Sequence, residues 1–481
     1  MELSNSFLGH DSGLRKGKCR INQVKTEEQN NQLPKVDEVS IWRPTSQFLS
    51  VLRLRRFMIF SISQAISLFG DKLDYMALLA MIAYFGKVYQ WEQARALSYL
   101  SVIITLPTII FGPVAGILID RWNRAKVMIT CDTARALLVI AIPLLILKTG
   151  NLIFVYTIAF LVFLFGLFFN TCRLSVIPNL VSPRRLLAAN SFINFIGRVS
   201  TFFGMFLGGI IVDWQIWRKI GIQQSFTAGF YLDSLTYWIS VIALIIIYPH
   251  LAKGQTRLEF SSIQNPKNNT TTDGLPLSLF QDLKQAYLVI RKIPQVLFVY
   301  ASILILVVLG AAVFVLFIPI IQSVPAQLGF GLGTKGVGFV GAIGSIGLVL
   351  SSMTYGVIGH RIKKRDVILG GFLILGIIAI LLALFKTFVP VIPLAFLAGF
   401  LLSPIFIAQD TLLHEYVPPA ARGRIFSTRE WLLHLSFAVS AFLIGQLTLF
   451  FQKRLLFLII GIFIVLLSIF GFFATRQRQI G

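Results

Sequence analysis

Twelve long apolar runs, most of them about 20 residues or more, constrain this 481-residue chain more than any motif within it. A run of that length crosses the hydrocarbon core as a helix, because no water is present there and only intrahelical hydrogen bonds satisfy the backbone. The runs fall at 57–85, 96–119, 127–147, 151–172, 188–212, 227–248, 295–320, 336–358, 367–386, 389–412, 425–450 and 455–474. Hydrophobic residues make up 56% of the chain and charged residues 13%, outside the range of soluble domains. The expected fold is an all-α membrane protein of twelve transmembrane helices.

An even number of crossings puts both termini on one face. Lys and Arg number thirty on the segments of that face and nine on the opposite connections, so both termini are expected in the cytoplasm of a cell bounded by an inner, or plasma, membrane. The net charge of +23 sits in the connections between apolar runs, which argues against a nucleic-acid partner. Residues 1–56 form a polar, Gln/Asn-rich segment with no apolar signal-peptide core over 1–50. They read as a disordered cytoplasmic tail, with a second short tail at 475–481. Cys19, Cys131 and Cys172 fit neither a disulfide framework nor a zinc site.

The longest connection, 249–294, divides the runs into bundles of six over 57–248 and 295–474. Leu279, Leu283, Ala286, Tyr287 and Ile290 within it keep helical spacing, as a surface-lying amphipathic helix would. Two pairs of connections recur between the halves. The segment 112–126, GPVAGILIDRWNRAK, carries Gly112, Gly116, Asp120, Arg121, Arg124 and Lys126. Gly356, Arg361 and Lys364 follow Gly116, Arg121 and Arg124 by 240 residues, with His360 in place of the acid. IPNLVSPRRLLAANS from Ile177 likewise matches HEYVPPAARGRIFS from His414. Small residues one turn before a helix end admit a neighbouring backbone, and the basic cluster holds that end at the membrane surface.

The G-x-x-x-D-R-x-x-R-x-K spacing resembles the loop between the second and third helices of major facilitator superfamily transporters, with Asn123 where the family has Gly. The runs ISLFGDKLDYMAL, DTARALL, NLVSPRRLLAANS and ARGRIFS resemble the macrolide-efflux and enterobactin-exporter branch, a group of drug:proton antiporters. The resemblance implies two pseudo-symmetric six-helix halves rocking about a central substrate site, with Asp120, Arg121 and Arg135 in a cytoplasmic gate network. It also implies export of a small amphipathic molecule such as a drug, siderophore or metabolite, generally against a proton flow.

Ionisable groups within the runs need a partner, water or a function, since each costs about 2.5–3.5 kcal/mol to insert. Asp71 and Asp74 lie past the middle of the first run with Lys72 between them. Either they titrate during transport, or Lys72 neutralises one while the other meets outer water. Asp132 and Arg135 are spaced to pair on one helix. Arg198 lies near mid-bilayer in the fifth run, which suggests an ion pair with an acid of the first helix or an anionic group on the substrate. Glu430 and His434, one turn apart, are candidates for a proton relay or a structural hydrogen bond. Arg429 is expected to snorkel to the cytoplasm and Asp233 to face outer water. The fourth run, ending at 172, holds no arginine, and the fifth has Gly197, Gly204, Gly208 and Gly209 but no proline.

Other functions lack their residues. GFGLGTKGVG (329–338) lacks the adjacent Gly-Lys-Ser/Thr of a phosphate-binding loop, and the five histidines are scattered, so neither an ATP-driven pump nor an enzyme is expected. No cofactor or metal is implied. The expected partners are a small-molecule substrate, protons and the lipid bilayer, and the expected state is a monomer. A lipid or lysolipid flippase and a metabolite-uptake facilitator remain as alternatives. A metal exporter and a non-transporting scaffold rank below them.

Overall fold

The structure, a computed structural model, describes residues 51–120, 122–182, 185–264, 287, 290–324, 333–385 and 387–477. Residues 1–50 of the expected N-terminal tail and nearly all of the expected amphipathic linker helix lie outside these residues; of the rest of that tail, Val51 is buried and Arg55 already begins the first helix. All regular structure among the described residues is helical, and it comprises twelve long helices with the short helices Ile216–Lys219 and Gly359–Arg361 between them. They are α1 (Arg55–Val88), α2 (Gln93–Asp120), α3 (Arg124–Thr149), α4 (Leu152–Leu180), α5 (Leu186–Val212), α6 (Ser225–Gln264), α7 (Pro294–Gln322), α8 (Gly333–Ile358), α9 (Lys364–Leu384), α10 (Val391–Tyr416), α11 (Pro419–Leu447) and α12 (Lys453–Gln477).

Eleven of these are long and apolar enough to cross a membrane by composition alone. The remaining one, α1, is 34 residues long but carries Asp71, Lys72 and Asp74 in its middle. Several helices outrun their apolar cores. α4 continues to Leu180 instead of stopping at 172, and α6 runs to Gln264, well into the expected 249–294 connection. Helical hydrogen bonding does not require apolar side chains, so polar turns extend a helix beyond the hydrocarbon.

Local chemistry sets the ends. Asn123 caps α3 by accepting the Lys126 N–H at 3.1 Å, with φ −69, so the asparagine in the loop motif serves a turn that needs no glycine. Gly150 ends α3 in the left-handed region at φ 63, and Asn151 caps α4 by accepting the Ile153 N–H at 2.9 Å. A π-helical segment, Val313–Phe317, interrupts α7.

Helix pairing repeats after a shift of six. The contacts α1–α5, α2–α4, α3–α4 and α3–α6 recur as α7–α11, α8–α10, α9–α10 and α9–α12. Two large contacts join the halves, α2–α11 and α5–α8, and they are related by the same shift.

The apolar cores show how the halves meet. At the end of the bundle away from the termini, called here the far end, one continuous core runs from Met76, Leu97 and Phe230 to Phe317, Val337, Ile444 and Phe457. At the end where α1 begins and α12 stops, the tail end, the core divides. One part holds Phe57, Ile177, Ile193 and Leu244 of the first half, and the other holds Val296, Leu413 and Ile425 of the second. The halves are therefore packed together at the far end and separate at the tail end.

Candidate functional site: a charge cluster, a wedge-shaped cavity and a far-end seal

α1, α3 and α6 bring their charged residues into one buried cluster. Arg135 on α3 donates from Nη2 to Asp71 Oδ1 on α1 at 2.6 Å, and Tyr237 on α6 donates its hydroxyl to the same oxygen at 2.6 Å. The guanidinium also stacks 4.2 Å from the centre of the Tyr237 ring. Asp132, the expected partner, is farther away at 3.5 Å.

Two more acids surround this core. Asp233 on α6 is 0% exposed, which corrects the expectation that it faces outer water. Asp74 is 5% exposed and Asp132 0%. Asp74 is therefore buried and does not reach outer water, and its Oδ1 accepts no hydrogen bond among the described residues. Gly70 makes the close approach possible: a β-carbon there would collide with Asp233 Oδ1 and Thr236 Oγ1. Lys72 plays no neutralising part. Its stem lies against α5, 2.7 Å from where a β-carbon on Gly204 would sit, and it has no ion pair among the described residues.

A cavity of about 650 Å³ opens between α5 and α8. Its shape follows from one stripe on each helix. At the far end, Asp213 Oδ2 accepts the Lys335 N–H at 2.8 Å, in the first turn of α8, where a helix N-terminus favours negative charge. Next, Gly209 lies against Thr334 and Gly338, and Gly338 against the Met205 carbonyl, with room for no β-carbon. Beyond Met205 and Gly341 the helices part, and Arg198 on α5 faces Ser345, Leu348 and Val349 on α8 across the opening.

Arg198 is exposed to this cavity and has no carboxylate partner among the described residues, so the expected ion pair with the first helix is not formed. Arg173 also lines the cavity. Because α4 extends to Leu180, Arg173 belongs to a membrane-crossing helix, which corrects the reading of an arginine-free fourth span.

The second seam, α2–α11, is tight at the same end. Gly445 packs directly on Ser98, and at mid-helix Trp431 Nε1 donates to the Ile109 carbonyl at 3.1 Å. Gln93 Nε2 donates to Gln322 Oε1 at 2.5 Å, which ties α2 to α7, and Lys453 pairs with Glu92 at 2.9 Å.

The repeated loop motifs lie at the tail end. Among the described residues nothing approaches within 4 Å of a β-carbon built on Gly116 or Gly356, and Gly112 meets only Thr108 of its own helix. These glycines therefore touch no described residue of the opposite half, in keeping with the divided core. Arg124 donates to the Ser175 carbonyl at 3.4 Å, and Lys364 pairs with Glu415 at 2.7 Å. Arg121 and the side chains of Asp120 and His360 are outside the described residues.

Two expectations in α11 are corrected. Arg429 does not snorkel: it is 9% exposed and pairs with Asp410 on α10 at 2.6 Å. The His434 ring contacts the Glu430 carbonyl at 2.8 Å rather than its carboxylate, which lies 3.9 Å from Arg429. Asp410, Asp233, Tyr237 and Arg173 are the functional candidates that sequence reasoning missed. Arg173 alone had a usable signal, since it lies one residue past the expected end of the fourth run.

Twelve long helices in repeated halves, eleven of them apolar enough to cross a membrane, sealed at one end around an opening between them, define the class of multi-pass membrane transporters. The sequence model of the Major Facilitator Superfamily matches residues 60–337 and 303–480, and the chain belongs to that superfamily. It is 25% identical over 396 residues to the putative bacilysin exporter BacE of Bacillus amyloliquefaciens, covering 79% of this chain and 86% of that protein. It is 26% identical over 185 residues to the uncharacterised transporter YfiS of Bacillus subtilis, covering 38% and 40%. The fold is similar to that of the nucleoside transporter NupG, with a TM-score of 0.66 at 12% identity over 86% of this chain and 98% of that one. It also resembles a bacterial homologue of the iron transporter ferroportin in an inward-facing state, with a TM-score of 0.63 at 15% identity over 88% and 98%.

Proposed function

We propose that the protein is a secondary transporter of the plasma membrane that exports a small amphipathic molecule by alternating access, coupled to proton entry. The observation that carries this reading is the pairing of a sealed far end with an opening at the tail end. The thirty-to-nine excess of Lys and Arg favours a cytoplasmic tail end, so the state described here receives its cargo from the cytoplasm. A volume of about 650 Å³ matches a drug-sized molecule and is small for a two-chain lipid. The likeness to a putative bacilysin exporter supports export.

The coupling site is the cluster of Asp71, Asp74, Asp132 and Asp233 around Arg135. Four carboxyls facing one guanidinium leave negative charge uncompensated in a buried site unless protons are held there, and buried uncompensated charge is costly. Rocking of the halves about α2–α11 and α5–α8 would open the far end and bring Gly116 and Gly356 against their opposite neighbours. The basic loops around Asp120, Arg121, Arg124, Arg361 and Lys364 then form the cytoplasmic gate.

The test uses purified protein in liposomes with an internal pH dye, supplied with macrolides, siderophores, peptides and hydrophobic ions. Substrate-dependent proton flux supports coupled export. Substrate movement with no proton flux would replace the antiporter reading with a facilitator.

A further inference from the structure

We infer that the α5–α8 cavity selects an anionic amphiphile: a small molecule with an apolar body and a carboxylate, sulfate or phosphate group that is received between Arg198 and Arg173. The inference deepens the proposed transport function, since it names the substrate class of the same cavity.

Charge complementarity carries it. Two guanidinium groups line the cavity, and no carboxylate does among its described lining residues. Arg198 enters from α5 with no carboxylate partner among the described residues, although an arginine at membrane depth is costly without one. Arg173 enters from α4, and its Nε is buried with no hydrogen-bond partner among the described residues. Of the nearby acids, Asp71 accepts from Arg135 and Tyr237 through Oδ1, and its 27% exposed side chain is not part of the cavity lining, while Asp233 is wholly enclosed.

The rest of the lining is chiefly apolar, with Leu68, Phe195, Phe202, Ile346 and Leu350 beside the polar Asn194 and Ser345. A guanidinium offers forked donors that match an oxyanion, and the apolar walls suit the body of an amphiphile. A hydrophobic cation placed here would meet two like charges and no carboxylate among the described lining residues.

The experiment reads binding without any gradient, so it is independent of transport direction and proton coupling. Full-length protein in phosphatidylcholine nanodiscs is titrated with radiolabelled dodecyl sulfate, with protein-free nanodiscs as background. Saturable binding is expected, displaced by unlabelled dodecyl phosphate but not by dodecyltrimethylammonium. Arg198→Ala is expected to weaken it tenfold or more, Arg198→Lys to restore part of the loss, and Arg173→Gln to weaken it further in combination.

Equal displacement by the cation in the wild-type protein would overturn the inference without reliance on any variant. So would unchanged affinity in Arg198→Ala of normal elution profile. Displacement of the label by phosphatidylglycerol added to the nanodisc would assign the cavity to a lipid and overturn the small-molecule substrate. Binding as expected with no transport in liposomes would leave the inference standing and remove the export reading.

Discussion

Arg135 reaches Asp71 at 2.6 Å across two helices, although Asp132 stands one turn away on its own helix at 3.5 Å. The preference ties α3 to α1 through a charge-assisted bond, and Tyr237 closes the triangle from α6. A change of charge on Asp71 would therefore be felt by three helices of the first half at once.

Asp71→Asn keeps an acceptor for Tyr237 but removes the anion that holds Arg135. Proton-driven transport is expected to fall at least tenfold while substrate counterflow persists, both measured in proteoliposomes. If both processes survive unchanged, Asp71 has only a structural part.

Gly338→Val places a side chain where the Met205 carbonyl and Gly209 now meet Gly338. Overpacking of this kind costs about 1–3 kcal/mol, and here the cost falls on the sealed far end alone. The variant should label faster with an impermeant maleimide at Met205→Cys, just beneath the seal. Unchanged labelling would show that α5–α8 contact does not set far-end access.

Asp213 lies at the end of α5, outside the membrane-crossing segment, and burial raises its carboxyl above the ordinary carboxylate value. The sealed state then binds a proton more tightly than a state in which Asp213 is solvated. That contribution is fully present below the solvated value and is lost as pH rises through the raised one. Far-end labelling should therefore be slower at acidic pH, and Asp213→Asn should abolish the difference because its amide still accepts the Lys335 N–H without titrating. Asp213→Ala leaves that N–H unpaired at a cost of about 1–3 kcal/mol and should label faster throughout.

Arg429→Gln strands Asp410, whose side chain is 46% exposed and can take water in compensation. A loss of about 1–3 kcal/mol is expected, seen as a lower apparent Tm in detergent. Arg429→Gln with Asp410→Asn should recover most of it. Failure of the double variant to recover would mean that Arg429 acts through other contacts.

The tail-end loops and the repeat were legible because their signals are local: Gly116 and Gly356 precede basic clusters 240 residues apart. The helix count was legible for the same reason, since each apolar run has to satisfy its own backbone in lipid. Depth along a single helix gave a poorer guide to the charges. It placed Asp233 near outer water and left that open for one of Asp71 and Asp74, yet Asp233 and Asp74 are both buried where α1 meets α6 at Gly70. It also cut α4 at 172 and left Arg173 in a loop, because hydropathy falls before helical hydrogen bonding does.

Composition and spacing thus determined that this chain crosses a membrane as twelve helices in two repeated halves, with the repeated basic loops at the tail end. Those properties depend on transfer of side chains and backbone into lipid, which each segment meets by itself. Only the tertiary structure decided that Arg135 chooses Asp71, that Arg198 and Arg173 face an apolar cavity, and that the far end is the closed one. These outcomes depend on which helices touch, and residues 64 and 166 positions apart meet Asp71 only after the bundle has packed.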